Sequence, residues 1–426
     1  MRLIATLGLI FASVFLSGEK CLSQIAEGQG KFVGCAVSLP IPQSFLTYWN
    51  QVTPADEGKF GRVASLSADT SLWIWSSLDQ IYDFALIDSI PFKEHNLVWG
   101  QEQPSWIGSL DSSDQYQDVV NWIRLCGERY PKTAMVDVVN EPLHDTPQAS
   151  QSPVPYYNAL GGAGSTGWDW VITAFTLARK YFPNAKLLIN EYYILNSDPS
   201  DPYASVYKYV NIINLLKQRN LIDGIGCEMH FLEQQDSSVL RANLDILAAT
   251  GVPIYITEYT INESSDAAQL SIIENQFPVF WKHPAVKGIT FFGYIQGQVW
   301  NRTPNCFLIY SNGSVRPALT WLMNYVAENP TGIKKTILPS SPTLDQNFPD
   351  PFNPTTVIRY QLSATSRVSL KVYDVIGREI ETLVDERETP GTHSVSFDAA
   401  KFPSGVYFYR LVTGNFNEVK KLVLIK

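Results

Sequence analysis

The chain has 426 residues, 45% of them hydrophobic and 12% aromatic, enough for two domains with a large core. Its formal net charge is −9, with no Lys/Arg block long enough to track phosphates, so nucleic acid is excluded as an expected partner. The 11 Trp exceed what a core needs, because indoles are rarely fully buried, and flat aromatic faces suit sugar rings.

From the start of the chain, Met1-Arg2, the apolar run Leu3 to Leu16 and Lys20 read as a signal peptide over residues 1–23, with Ser23 at a cleavage point before Gln24. The run is short for a bilayer span, although an uncleaved anchor is the rival reading. Gly18-Glu19-Lys20 ahead of Cys21 does not resemble a lipoprotein site. Cys35, Cys126, Cys227 and Cys306 are far apart and lack metal-ligand spacing; they read as core residues or at most one optional bridge.

Residues 24–329 alternate short apolar strands with helical segments. The predicted strands are Phe32–Val37, Asn50–Thr53, His95–Trp99, Met135–Asn140, Leu187–Tyr192, Gly224–Met229, Ile254–Glu258 and Gly288–Phe292. Helical segments include Tyr116–Tyr130, with Val119, Ile123 and Cys126 on one face, and Gly167–Tyr181. This alternation fits a (β/α)8 barrel, with a doubly wound sheet as the structural rival. Residues 330–343, rich in Pro, Ser and Thr, read as a linker. In residues 344–426, Val368, Leu370 and Val372 alternate with polar residues, as do Val395 and Phe397. Pro390-Gly391 and Ser404-Gly405 supply turns, which predicts a small all-β sandwich.

Barrel chemistry collects at the C-terminal ends of the strands. The fourth predicted strand runs into Asn140-Glu141-Pro142 and the seventh ends at Glu258, while the sixth leads to His230 and the third runs from His95 to Trp99. A carboxylate at the end of an apolar strand is costly unless paired or working, and two at one rim suit paired acid and base chemistry. Structural carboxylates bonded to loop amides are the plainer reading.

Asp137-Val-Val-Asn-Glu-Pro142 together with Ile256-Thr-Glu258 resembles glycoside hydrolase family 10, the endo-β-1,4-xylanases. So do His95-Asn-Leu-Val-Trp-Gly100 with Trp106, Gly167-Trp-Asp-Trp170, Leu188-Ile-Asn-Glu-Tyr192, Asp223-Gly-Ile-Gly226 with His230, and Gly293-Tyr-Ile-Gln-Gly297 with Trp300. The resemblance implies a retaining hydrolase acting on xylan, with Glu141 as acid/base and Glu258 as nucleophile. It implies that Asn140 binds the 2-hydroxyl in subsite −1 and that His230 holds Glu258. Lys59, His95, Trp99 and Trp300 would line subsites −1 and −2, with no cofactor and no metal. The chain departs from the family pattern at Ala55, Asp56, Phe60, Glu102, Tyr193, Glu228, Thr260 and Phe292. Glu102, Glu228 and Phe292 remain substrate-binding candidates, and Ala55 and Phe292 would alter subsite −2. His144, His283 and His393 match no family position and receive no role. A β-glucanase or another β-glycanase on the same fold, and a non-catalytic surface glycan-binding protein, are the alternatives.

Leu344-Asp-Gln-Asn-Phe-Pro-Asp-Pro-Phe-Asn-Pro354, Val372-Tyr-Asp-Val-Ile-Gly377, Ser404-Gly-Val-Tyr407 and the terminal Lys420-Lys-Leu-Val-Leu-Ile-Lys426 resemble C-terminal sorting domains of the type IX secretion system. That implies export, with the protein secreted or at the cell surface and meeting the secretion machinery through its tail; a monomer is the separate expectation. A carbohydrate-binding module is the rival, weakened by a tail without Trp.

Overall fold

The computed structural model describes residues 24–147, 156–332 and 341–426; the expected signal peptide and residues 333–340 of the expected linker lie outside them. The chain divides into two compact units, residues 1–332 and 333–426. No helix among the described residues is long and apolar enough to cross a membrane.

In the first unit eight parallel strands run in the order β2-β1-β8-β7-β6-β5-β4-β3. They are β1 (Phe32–Val37), β2 (Val52–Pro54), β3 (Lys93–Val98), β4 (Met135–Asn140), β5 (Lys186–Asn190), β6 (Gly224–Met229), β7 (Ile254–Tyr259) and β8 (Val286–Phe292). A parallel bridge from Val52 to Phe92, just ahead of β3, joins the two ends of this order. That closure makes a barrel and sets aside the doubly wound sheet. Strands β3, β4, β6 and β7 are buried along their whole length. This is why β4, β6 and β7 read as largely apolar runs, both faces being covered, one by helices and one by the barrel interior; β3, Lys-Glu-His-Asn-Leu-Val, is the polar exception.

The helices start where the sequence supplies caps. Asp111 accepts from the amides of Ser113 and Asp114 ahead of Ser112–Arg129, and Asp236 accepts from that of Ser238 ahead of Ser237–Ala248. Cys35, Cys126, Cys227 and Cys306 are all buried and free, so among the described residues no bridge joins them.

Strand limits differ from expectation where polar side chains enter the barrel. The third strand begins at Lys93, not His95, because Lys93 and His95 both turn inward onto Asp137. Trp99 lies just beyond that strand. The second begins at Val52; ahead of it the Asn50 side chain accepts from the amide of Val33 at 2.9 Å. The fifth ends at Asn190, leaving Glu191 and Tyr192 on the rim, while the seventh reaches Tyr259.

The second unit has two antiparallel sheets, β13-β10-β9 and β12-β11-β14-β15. Its strands are β9 (Thr343–Leu344), β10 (Thr355–Leu362), β11 (Ser366–Tyr373), β12 (Glu379–Glu388), β13 (Gly391–Asp398), β14 (Gly405–Thr413) and β15 (Phe416–Leu424). Thr343, expected in the linker, pairs in β9 with Gln361. Alternate residues Ile358, Tyr360 and Leu362 of β10 and Val368, Leu370 and Val372 of β11 are fully buried. Period-two patterning thus builds one core between the sheets.

Candidate active site

A cleft of about 940 Å³ opens at the C-terminal ends of the barrel strands, and every candidate catalytic and substrate-binding residue named from the sequence lines it. Glu141 follows β4 directly, with its backbone in the left-handed region at φ 53°. Tyr193, Phe231 and Glu102, beyond β5, β6 and β3, also have positive φ. Such backbone is costly for non-glycine residues. The Glu141 amide donates to the Asn190 carbonyl at 2.8 Å and the Glu228 amide to the Glu191 carbonyl at 3.0 Å.

The two strand-end carboxyls have opposite surroundings. Glu141 Oε2 accepts from the Trp99 indole N–H at 2.7 Å. Burial pushes its pKa well above the usual carboxylate range, reinforced by neighbouring Asp145 and by the charges of Glu258 and Glu191. Glu258 is also buried, but His230 Nε2 lies 3.0 Å from its Oε2, Asn190 Nδ2 donates to its Oε1 at 3.0 Å, and His95 Nε2 stands 3.9 Å from Oε1. Burial alone would raise its pKa; the charge of His95, the bond and charge of His230 and the charge of Lys93 outweigh it and hold the group at about 2. One carboxyl therefore keeps its proton and the other stays ionised, the division that general-acid and nucleophile roles require.

Asn190 sits at the centre. Its Nδ2 lies 2.8 Å from Asn140 Oδ1 and 2.8 Å from Glu228 Oε1 as well as reaching Glu258, and Thr257 Oγ1 donates to its Oδ1. Gly226 makes room for it, since a Cβ there would stand 2.3 Å from Asn190 Oδ1. Glu228 is 2% exposed; burial and then the charges of Glu258 and Glu141 raise its pKa well above normal.

On the other side of the cleft Lys59 Nζ pairs with Asp56 at 3.0 Å and Glu102 at 3.1 Å and lies over the Trp99 ring. Phe292 packs edge-on against His230 and Trp300, with ring centroids 5.1 and 6.2 Å away, and Trp300 also packs against His230. Among the described residues, Glu228, His230 and Glu258 are the group whose ligand atoms lie close enough together, within 4.8 Å, to hold a metal. Hydrogen bonds with Asn190 and between His230 and Glu258 already engage those atoms.

Several residues without an expected role make contacts in the site. Lys93 is one: it reaches Asp137 Oδ2 at 2.6 Å, and His95 reaches the same oxygen at 2.9 Å, which fixes the His95 ring beside Glu258. The i, i+2 spacing of Lys93 and His95 was the available signal, since alternate residues of a strand share a face. Thr260 meets His230 Nδ1 at 3.1 Å, so a hydroxyl occupies the position where the family pattern expects a carboxylate. His144, given no role, bonds Glu191 at 2.8 Å and stacks on Tyr192.

The sequence model of glycosyl hydrolase family 10 matches residues 21–325, and that of the secretion system C-terminal sorting domain matches residues 346–426. Endo-1,4-beta-xylanase B of Cellvibrio japonicus is 37% identical over 298 residues, 69% of this chain and 45% of its own. Endo-1,4-beta-xylanase A of Phanerodontia chrysosporium is 28% identical over 290 residues, 66% of this chain and 65% of its own. This chain thus spans less than two thirds of the length of either relative. Among solved structures, xylanase 10B from Thermotoga petrophila in complex with xylobiose superposes with a TM-score of 0.61 at 22% identity, over 72% of this chain and 97% of that one. At that identity the superposition speaks to the fold.

Proposed function

The chain belongs to glycosyl hydrolase family 10 and carries a C-terminal type IX sorting domain, and we propose that its cleft hydrolyses internal β-1,4 bonds of xylan with retention of configuration. The observation that carries this reading is the pair of rim carboxyls, Glu141 and Glu258, with opposed proton affinities in one cleft.

In the first step the Glu258 carboxylate attacks the anomeric carbon while Glu141 gives its proton to the glycosidic oxygen. The C–O bond breaks, the aglycone leaves as an alcohol, and a glycosyl ester forms on Glu258. In the second, the Glu141 carboxylate takes a proton from water, whose oxygen attacks the same carbon and releases Glu258. Asn140 binds the sugar 2-hydroxyl, a bond that strengthens at the transition state. His230 and Asn190 orient the nucleophile, and Trp99 orients the acid. Lys59, His95, Trp99, Glu102, Glu228, Phe292 and Trp300 serve subsites −1 and −2, the latter altered by Ala55 and Phe292. The protein acts as a monomer, and its sorting domain engages the type IX machinery for export.

The test is reducing-sugar release from xylan, with the anomer first formed read by proton NMR. Release of β-anomers supports the reading. Initial α-anomers refute retention. Release from a β-glucan but not xylan favours the glucanase alternative, and tight xylan binding without release makes the protein a glycan binder.

A further inference from the structure

Asn190 Nδ2 has two hydrogens, yet three oxygens lie within hydrogen-bond distance of it: Asn140 Oδ1, Glu228 Oε1 and Glu258 Oε1. The amide cannot be turned over to relieve this. Its Oδ1 is taken by the Thr257 hydroxyl, and a flip would set that oxygen against the same three acceptors. The cations do not resolve the shortage evenly. His95 and His230 lie against Glu258, and Lys93 is bonded to Asp137. No ion pair reaches Glu228 among the described residues.

We propose that Glu228 stands in the working enzyme as a neutral carboxylic acid, a positioning residue whose proton reserves the two N–H groups of Asn190 for Glu258 and Asn140. Two protons then gate the reaction, one on the general acid Glu141 and one on Glu228. When Glu228 ionises it competes for Asn190 on equal terms with the Glu258 carboxylate and ahead of the neutral Asn140 carbonyl, because charged acceptors bind N–H groups about twice as strongly as neutral ones. The amide is drawn off Asn140, the 2-hydroxyl ligand, or off the nucleophile. The site holds the proton on Glu228 by its own layout. Facing it are Glu258 of β7, Asp137 and Glu141 of β4 and just beyond, Glu191 beyond β5, and the buried Tyr209 phenol of helix Ser205–Lys217. Its own strand adds Cys227, with His230 just beyond it, and the β3 cations Lys93 and His95 are engaged elsewhere. An amide at this position would be a donor at every pH; the carboxyl makes the site conditional on protonation.

This inference rests on the glycosidase reading, and its test has one arm that does not. In the first arm, log kcat/KM on an aryl β-glycoside is followed into the alkaline range for wild type, E228Q and E228D. A two-proton fall is expected for wild type and E228D, and a one-proton fall for E228Q. In the second, infrared difference spectra of 13C-glutamate-labelled E228Q and wild type at neutral pH should show loss of a carboxylic-acid C=O band in the variant. Loss of carboxylate bands instead, or an alkaline limb of the same steepness in wild type and E228Q, overturns the proposal. If no glycan is cleaved by wild type, the functional reading fails while the infrared arm still decides the protonation of Glu228.

Discussion

Replacing His230 with Ala removes the bond from its Nε2 to Glu258 Oε2 at 3.0 Å and the positive charge beside it. Burial of the Glu258 carboxyl is unchanged in kind and pushes its pKa upward; His95 and Lys93 remain to oppose it. A hydrogen bond to a charged group is worth about 1.5–3 kcal/mol, and about 1.4 kcal/mol corresponds to one pH unit, so the group should rise by about one to two units from its value near 2. The nucleophile must be ionised to attack, so the acid limb of kcat/KM moves toward neutral pH by the same amount. Stability shifts in the same direction. A carboxyl held below its unfolded value stabilises the fold above the unfolded pKa, and that contribution is lost as pH falls toward 2; the variant loses it at higher pH. The assay is kcat/KM against pH on an aryl β-glycoside with a good leaving group, where general acid is not needed, with folding checked by circular dichroism. An acid limb that coincides with wild type while the variant stays folded would refute the account of how Glu258 is held.

Further outcomes follow from the same geometry. Glu258→Ala should abolish turnover on every substrate. Glu141→Ala should lose about 10²–10⁴-fold on xylan, glycosylate quickly from activated aryl glycosides, stall, and be rescued by azide. Equal wild-type rates on an aryl glycoside would reverse the assignment. Phe292→Trp should lower the ratio of kcat/KM on aryl β-cellobioside to that on aryl β-xylobioside, by the factor that about 1–3 kcal/mol of packing allows. A level or rising ratio would mean that Phe292 leaves no space for a hydroxymethyl group. Glu94 is fully buried on β3, with neither carboxyl oxygen hydrogen-bonded among the described residues, and burial and then the charge of Asp137 raise its pKa. With the folded value raised, its stabilising contribution is complete below the unfolded pKa and is lost as pH climbs above it. Glu94→Gln should therefore raise the melting temperature by a margin that widens from about pH 5 to about pH 8, measured by calorimetry.

The sequence by itself determined the strands whose two faces are both covered by neighbours. β1, β4 and β6 fall where the largely apolar runs put them, residue for residue, because burial on both faces keeps polar residues few along such a strand. It determined the β-sandwich through strict alternation, and it put Glu141 and Glu258 at strand ends, where a barrel gathers its chemistry. It misplaced the start of β3 because Lys93 and Glu94 look like loop residues until Asp137, 44 positions away from Lys93, is seen beside them. Only the tertiary structure decided which carboxyl is charged. Asn190 reaches Glu258 across 68 residues, and His230 reaches it across 28. A pKa answers to distance, burial and the count of available hydrogens, none of which is ordered along the chain. By our proposal the same carboxyl type is therefore an acid at 141, an anion at 258 and a retained proton at 228.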